Sequence, residues 1–482
     1  MLFNSINFAL FFSLVFLLYW LMLKKSVKLQ NLLLLASSYF FYACWDWRFL
    51  FLLLFSTFVG YICGLRISTS PTQRSKKLWL IISLVISLSV LCFFKYYNFF
   101  VHSFQDFLSL FGIHSHIHTL QIILPVGISF YTFHVLSYLL DIYSGKRVVT
   151  SNWIDYSLFV GFFPLLIAGP IERATHLLPQ IESPRTFNYA KMTDGMRQIL
   201  WGLFKKMVVA DGCAEYANIL FNDGDGQPGS AFILGAIFFS FQIYGDFSGY
   251  SDIAIGVSRL LGIELLQNFR YPYFSQNIGE FWRRWHVSLS SWFRDYLYIP
   301  LGGSRDGIGK TIRNVFVVFL ICGLWHGANW TFVVWGLLHG SYIGIFILTR
   351  RRKEKRMLTE RDEGIDRPFS IRKALSISII FLLVTFAWIF FRADNMAHAL
   401  EYINAVPHNF FSIPPVSKEH VLSLSMALFM IIVEWQGRRG KYALEHFSKI
   451  KSVYLRWGFY YLLLILIFLL TGDPNKFIYF QF

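Results

Sequence analysis

The sequence predicts an all-α polytopic membrane protein, a bundle of roughly 9–12 transmembrane helices with interfacial and re-entrant helices. Three observations lead there. Of 482 residues, 55% are hydrophobic and 15% charged, with a mean hydropathy of +0.48, which is too apolar for an ordinary soluble domain. Several apolar runs reach the ~20 residues a membrane helix requires, and outside closed barrels only helices can span lipid. The basic residues behind the net charge of +16 sit in short connectors between those runs. That is the distribution of the positive-inside rule, so no nucleic-acid partner is expected.

The elements follow in chain order. Residues Ile6 to Leu23 form an apolar run with no basic segment before it and no small-residue cleavage pattern after it, so it is expected to be a retained first span. Lys24, Lys25 and Lys28 follow it, and Arg66, Arg74, Lys76 and Lys77 follow the third run. Cys44-Trp45-Asp46-Trp47-Arg48 is expected to be a tight external turn. Val101–Leu120, with His114, His116 and His118, is too polar to span and is expected to be interfacial or external. No carboxylate or cysteine complements those histidines, so no metal site is expected. Leu124–Leu140, with Pro125 and Gly127, is a span or half-span, and Asn222–Gly229 is a loop by its glycines and aspartates. The five cysteines lie mostly in apolar runs without CxxC spacing and are expected to be buried thiols.

Val315 to Leu348 is one apolar stretch. A straight helix of that length would run about 50 Å against a ~30 Å core. Both flanks are basic, Arg305, Lys310 and Arg313 before it and Arg350-Arg351-Arg352-Lys353 after it, so an even number of passes is required. The natural break is Gly327-Ala328-Asn329, which makes a buried hairpin with His326 near its turn. A buried imidazole favours its neutral form, the form a general base needs. It is equally the form of a structural histidine bonded to a carbonyl. His339, in the same run, is expected to be structural.

Downstream, one span near Ala374–Phe391 leads to an external loop, Arg392–His420. A further span returns to the basic connector Arg438, Arg439, Lys441, Lys449 and Lys451, and the last span covers Val453–Thr471. By this parity both termini are extracytoplasmic. The tail 473–482 is aromatic, and Tyr479 is its one phenol. Asp246 and Asp252 sit in a polar, Gly-rich patch between apolar runs, where an ion pair inside the protein is the expected arrangement. Glu172-Arg173 is expected to be a local ion pair.

Upstream of the hairpin, Phe281 to Tyr296 has helical periodicity. Trp282, Trp285, Leu289, Trp292, Phe293 and Tyr296 fall on one stripe, and Arg283, Arg284, Ser291, Arg294 and Asp295 fall opposite. One amphipathic interfacial helix is predicted, with His286 at the stripe's edge facing a cavity. Phe281-Trp282-Arg283-Arg284-Trp285-His286 through Arg294-Asp295-Tyr296-Leu297-Tyr298-Ile299-Pro300-Leu301-Gly302-Gly303 closely resembles the signature of the membrane-bound O-acyltransferase family. The branch it resembles is that of alginate O-acetylation, with teichoic-acid D-alanylation as a cousin. Gly245 to Asp252 and Ala168-Gly169-Pro170-Ile171-Glu172-Arg173 resemble further family motifs, and the resemblance covers residues 1–482 as a single integral-membrane domain.

The resemblance implies a helical bundle around a central chamber, with His326 as the active-site histidine and His286 as its upstream companion. Trp325, Asn329, Trp285, Arg284, Asp295, Asp246 and Asp252 are the implied supporting residues. It implies a cytoplasmic acyl donor, with acetyl-CoA the expectation and no resident cofactor or metal. An extracytoplasmic polysaccharide would be the final acceptor, reached through a serine-type transferase partner from the bacterial inner membrane. Tyr479 is implied as an acyl relay, a phenol activated by a neighbouring base; an interfacial aromatic anchor is the other reading of it. D-alanyl or another acyl group from a carrier-protein thioester, and a proton-coupled transporter, are the alternatives. A transporter gives no reason for the aromatic tail.

Overall fold

A computed structural model describes residues 1–22, 26–114, 118–167, 169–354, 370–471 and 478, without the side chains of 22 and 350–354. Lys24, Lys25, His116, Ala168, the side chains of Arg350-Arg351-Arg352-Lys353 and Tyr479 therefore lie outside what is described. All regular structure among the described residues is helical. Eight helices are long and apolar enough to cross a membrane, and two shorter apolar helices cover Ile6–Leu21 and Trp153–Leu166. The chain forms two compact units, residues 1–192 with 257–266, and residues 193–256 with 267–482.

The first unit contains α1 (Ile6–Leu17), α2 (Val27–Thr69), α3 (Gln73–Ser109), α4 (Ile128–Tyr143), α5 (Trp153–Gly161), α6 (Phe163–Leu166) and α7 (Ala174–Glu182). The turn expected at Cys44–Arg48 is a single-residue break inside α2. Asp46 takes extended backbone angles (φ −159°, ψ 110°) and accepts the Arg48 amide at 3.0 Å, capping the second half of the helix. The expectation for Val101–Leu120 needs correcting in its first half: α3 continues through those residues to Ser109. The chain becomes irregular only after the Gly112 turn. Gly127 opens α4 at φ +75° with the Leu166 carbonyl 2.2 Å from where a Cβ would stand, so both the dihedral and the close approach require glycine.

The second unit contains α8 (Tyr189–Phe204), α9 (Asp211–Asn222), α10 (Gly229–Leu260), α11 (Ile278–Arg284), α12 (Val287–Phe293), α13 (Ile308–His326), α14 (Trp330–Glu354), α15 (Ile371–Arg392), α16 (Met396–Ala405), α17 (Lys418–Gly437) and α18 (Val453–Leu470); α8 begins, and α10 ends, in the first. The expected loop between α9 and α10 is present. The Arg392–His420 connector contains α16, a helix the loop reading did not include. A π-helical turn at Lys205–Ala210 joins α8 to α9 and turns both Lys205 and Lys206 inward, 3% and 1% exposed. Beside it the backbones of α8 and α10 touch: a Cβ on Gly202 would meet the Gly249 carbonyl oxygen at 2.7 Å. Of the five cysteines, Cys63, Cys213 and Cys322 are buried, while Cys44 and Cys92 are exposed on α2 and α3. Those two correct the all-buried expectation.

Candidate functional site

The hairpin forms where the sequence breaks it. α13 ends at His326, residues 327–329 turn, and α14 starts at Trp330. Asn329 caps α14 by accepting the Thr331 amide at 3.1 Å, and its amide group donates to the Asp394 carbonyl at 2.6 Å. These bonds secure the turn to the α15–α16 connector. The two helices lie in backbone contact, since a Cβ at Gly323 would meet the Phe332 carbonyl oxygen at 2.3 Å, and one at Gly336 the Phe319 oxygen at 2.3 Å.

His326, 4% exposed, is enclosed by aromatic rings. Trp325, Trp335 and Phe391 stand edge-on at centroid distances of 4.8, 5.0 and 5.2 Å. Trp335 also packs on His339 at 4.9 Å, and His339 Nδ1 accepts the Trp282 indole N–H at 3.2 Å. His339 is therefore held as a packed core histidine, as expected.

The predicted amphipathic helix is not one helix. α11 stops at Arg284, and His286 adopts the left-handed region (φ 43°, ψ 54°) before α12 begins. A residue other than glycine in that region is uncommon and needs support from its surroundings. The break rotates the stripe but does not abolish it: Trp282, Trp285, Leu289, Trp292 and Phe293 are buried. Arg284, expected on the solvent side, is buried and paired with Glu280 one turn earlier. Asp295 pairs with Arg294 near the surface at 2.8 Å. Trp285 packs against Phe269 and Trp388 at 5.1 and 5.0 Å. His286 is fully buried and stands 6.1 Å from Trp325, the tryptophan that also touches His326. Lying outside the eight candidate spans, its imidazole is pushed by burial down to about 3, so it is neutral at physiological pH.

Asp246 and Asp252 are paired inside the unit. Asp246 meets Lys206 at 2.7 Å, and Lys206 also holds Asp211 at 2.8 Å. Asp252 meets Lys205 at 2.6 Å and accepts from Gln198 at 2.7 Å. Glu434 on α17 lies 3.9 Å from Lys205 and accepts the Tyr244 hydroxyl at 2.8 Å. Each buried charge thus has an opposite partner, the condition for keeping it away from water. A cavity of ≈ 10 Å³ beside Lys205, Asp252, Ser251 and Asn268 is near the smallest space that takes one water. Asp246 has a second partner: its Oδ2 accepts the backbone N–H of Ile478 at 2.7 Å. Ile478 is 1% exposed and directly precedes Tyr479, which itself is outside the described residues.

In the first unit, Glu172 takes a different partner from the one expected. It bonds His176 at 2.7 Å and the Leu266 amide at 2.5 Å. The Glu172 bond raises the His176 pKa. The sequence reading missed Lys205, Lys206, Glu434 and Asn268. Charges inside apolar runs were a usable signal for the first three; nothing in the string Gln267-Asn268-Phe269 marks Asn268.

Residues 147–386 match the family model described as membrane-bound O-acyltransferase. The chain is 43% identical to the "Probable alginate O-acetylase AlgI" of Pseudomonas aeruginosa, over 84% of this chain and 75% of that relative. It is 37% identical to the "Peptidoglycan O-acetyltransferase" of Helicobacter pylori, over 82% of this chain and 77% of that relative. With the "Teichoic acid D-alanyltransferase" of Streptococcus thermophilus it shares 30% identity, over 55% of this chain and 68% of that relative.

Proposed function

This chain belongs to the membrane-bound O-acyltransferase family, and from that premise we propose that it passes acetyl groups from cytoplasmic acetyl-CoA across the membrane for O-acetylation of an extracytoplasmic polysaccharide such as alginate. The observation that carries the proposal is the seat of His326: a histidine closing a buried hairpin, walled by Trp325, Trp335 and Phe391. The whole chain acts as one integral-membrane acyltransferase domain, placed in the bacterial cytoplasmic membrane with both termini outside.

The chemistry is base-assisted acyl transfer. A hydroxyl oxygen attacks the thioester carbonyl, and its proton passes to the His326 imidazole. The C–S bond breaks, and the departing thiolate receives that proton as free CoA forms. The acceptor hydroxyl is that of Tyr479. A phenol of pKa ~10 becomes an effective nucleophile only when a base removes its proton. An aryl ester is activated enough to be taken up by the serine of an extracytoplasmic transferase, which regenerates the phenol. Support for a tail at this site comes from Ile478, whose amide reaches Asp246 in the same unit as His326. His286 is the second histidine of the site, linked to His326 through Trp325.

A D-alanyl group delivered from a carrier-protein thioester is the second reading, favoured by the teichoic-acid relative; the higher identity and coverage of the O-acetylating relatives favour acetyl. Purified protein in nanodiscs, given radiolabelled acetyl-CoA, is expected to retain label on its carboxy-terminal peptide. His326→Ala and Tyr479→Phe should each abolish that label. Label lost in His326→Ala alone would remove Tyr479 from the relay. No CoA release from wild type, with turnover of a carrier thioester instead, would replace acetyl-CoA as donor.

A further inference from the structure

His286 is the one histidine of the proposed site whose tautomer can be read from its neighbours. Its Nδ1 lies 2.9 Å from Asn268 Oδ1. The Asn268 amide lies with Nδ2 donating to Ser251 Oγ at 3.0 Å and Oδ1 accepting the Ser288 hydroxyl at 2.9 Å; Ser288 Oγ also stands 3.5 Å from His286 Nδ1. An amide oxygen can only accept, so with Oδ1 turned to the ring it is Nδ1 of His286 that carries the proton. The neutral ring then has its lone pair on Nε2. That atom is fully enclosed and has no hydrogen-bond partner among the described residues.

Asn268 also holds the backbone. Its carbonyl accepts the Val287 amide at 2.8 Å, directly after the left-handed His286. Two residues on, Arg270 N–H donates to the Arg284 carbonyl at 2.9 Å. One short extended segment therefore grips the α11–α12 break on both sides of the histidine. Such a break would otherwise relax, since only tertiary bonds hold a residue other than glycine at positive φ. Phe247 and Phe269 wall the ring, with centroids at 4.6 and 6.4 Å, and supply no competing polar group.

We propose that Asn268 is a positioning residue for the acyl transfer: it locks His286 as the Nδ1–H tautomer and so presents Nε2 as a fixed, unpartnered hydrogen-bond acceptor to the reacting hydroxyl or the acyl donor. An acceptor buried without a partner costs free energy, and a group from outside the described residues is what would satisfy it. The donor to Nε2 is an O–H or N–H of the bound reactants. The assignment rests on the acyl-transfer reading given above.

The test uses the full chain in nanodiscs, with ¹⁵N-histidine spectra and acetyl transfer measured on the same samples. His134 and His408 also direct Nδ1 at carbonyl oxygens, so the His286 signal is identified as the Nδ1–H signal that disappears in His286→Gln. Asn268→Ala should convert that signal to a tautomeric mixture and lower kcat by about 100-fold with KM for acetyl-CoA within twofold, the loss expected when a reacting group is misplaced by about an ångström. Asn268→Asp keeps an acceptor oxygen opposite Nδ1 and should retain the locked tautomer. The double variant Asn268→Ala/His286→Gln should be no slower than His286→Gln alone. An unchanged tautomer in Asn268→Ala, or additive losses in the double variant, would overturn the assignment. If wild type transferred no acetyl group, the proposed function would fail while the tautomer remained readable.

Discussion

At the scale of single residues, His286 couples stability to pH in a direction set by its burial. Its folded pKa is about 3, against ~6.5 for an unfolded chain. Between those values the unfolded state binds a proton that the folded state refuses, so stability is full above pH ~6.5 and falls as the medium is acidified. By pH 5 the loss amounts to about 2 kcal/mol. Thermal unfolding in nanodiscs at pH 7.5 and pH 5 should show that acid-side drop. His286→Asn, which tolerates the left-handed backbone, should unfold with a shallower pH dependence. Equal slopes for the two proteins would show that His286 is not the group responsible. The Trp-Arg-Arg-Trp-His motif singled His286 out, and the structure buries it. Its backbone reversal was not, because apolar periodicity runs unbroken from Trp282 to Phe293 across a single residue of opposite twist. Asn268 was illegible for a different reason: its role comes from a contact 18 residues away, and local sequence carries no trace of such a pairing.

Among the elements, the α13–α14 hairpin shows what an even-pass argument can achieve. Length, two basic flanks and the Gly-Ala-Asn step put the break at residues 327–329, where it is found. The closeness of the two helices was beyond that reading, since it depends on Gly323 and Gly336 meeting the opposite backbone. A methyl group at Gly336 would strike the Phe319 carbonyl oxygen, which cannot rotate away as a side-chain tip can. Gly336→Ala is therefore expected to cost about 1–3 kcal/mol through overpacking and to reduce acetyl transfer by prying His326 from Trp335. Gly309, on the same α13, faces open space. Gly309→Ala should leave activity intact and raise stability slightly, by about 0.4–1 kcal/mol. Comparing melting temperatures and turnover of the two variants decides the matter: equal behaviour would mean that the glycine crossing is not what holds the hairpin closed. At α2 the sequence pointed to a turn, yet the chain changes direction through one extended residue, Asp46, which capping by its own carboxylate makes possible without a loop.

For the whole molecule, composition was enough to set the class, because apolar runs in lipid have no option but helix. Charge bias extends that to sidedness. The α15–α17 connector is expected outside and the connector after α17 inside. With the exposed Cys44 and Cys92 replaced by serine, a cysteine introduced by Ser412→Cys should react with an impermeant maleimide in intact cells. One introduced by Lys441→Cys should react only after permeabilisation. The reverse pattern would invert the topology and put the proposed donor on the wrong face. The alternation of spans was readable in the sequence because hydropathy and lysine placement are local properties. The pairing of Lys205 and Lys206 with acids on α10 and α17 was not, since it requires knowing which helices are neighbours.

Those buried pairs have a consequence for how the polypeptide is made. An aspartate at the centre of a lone helix is disfavoured by roughly 2.5–3.5 kcal/mol during insertion, and α10 carries two. The ribosome synthesises the lysine-bearing turn first, so α8 and the turn are already waiting when α10 leaves the translocon. Asp246 and Asp252 can then be neutralised on arrival instead of being stranded among acyl chains. Codon changes at Lys205 or Lys206 would on this view be felt during biogenesis, as chains cleared by quality-control proteases, before they were ever felt as slow turnover.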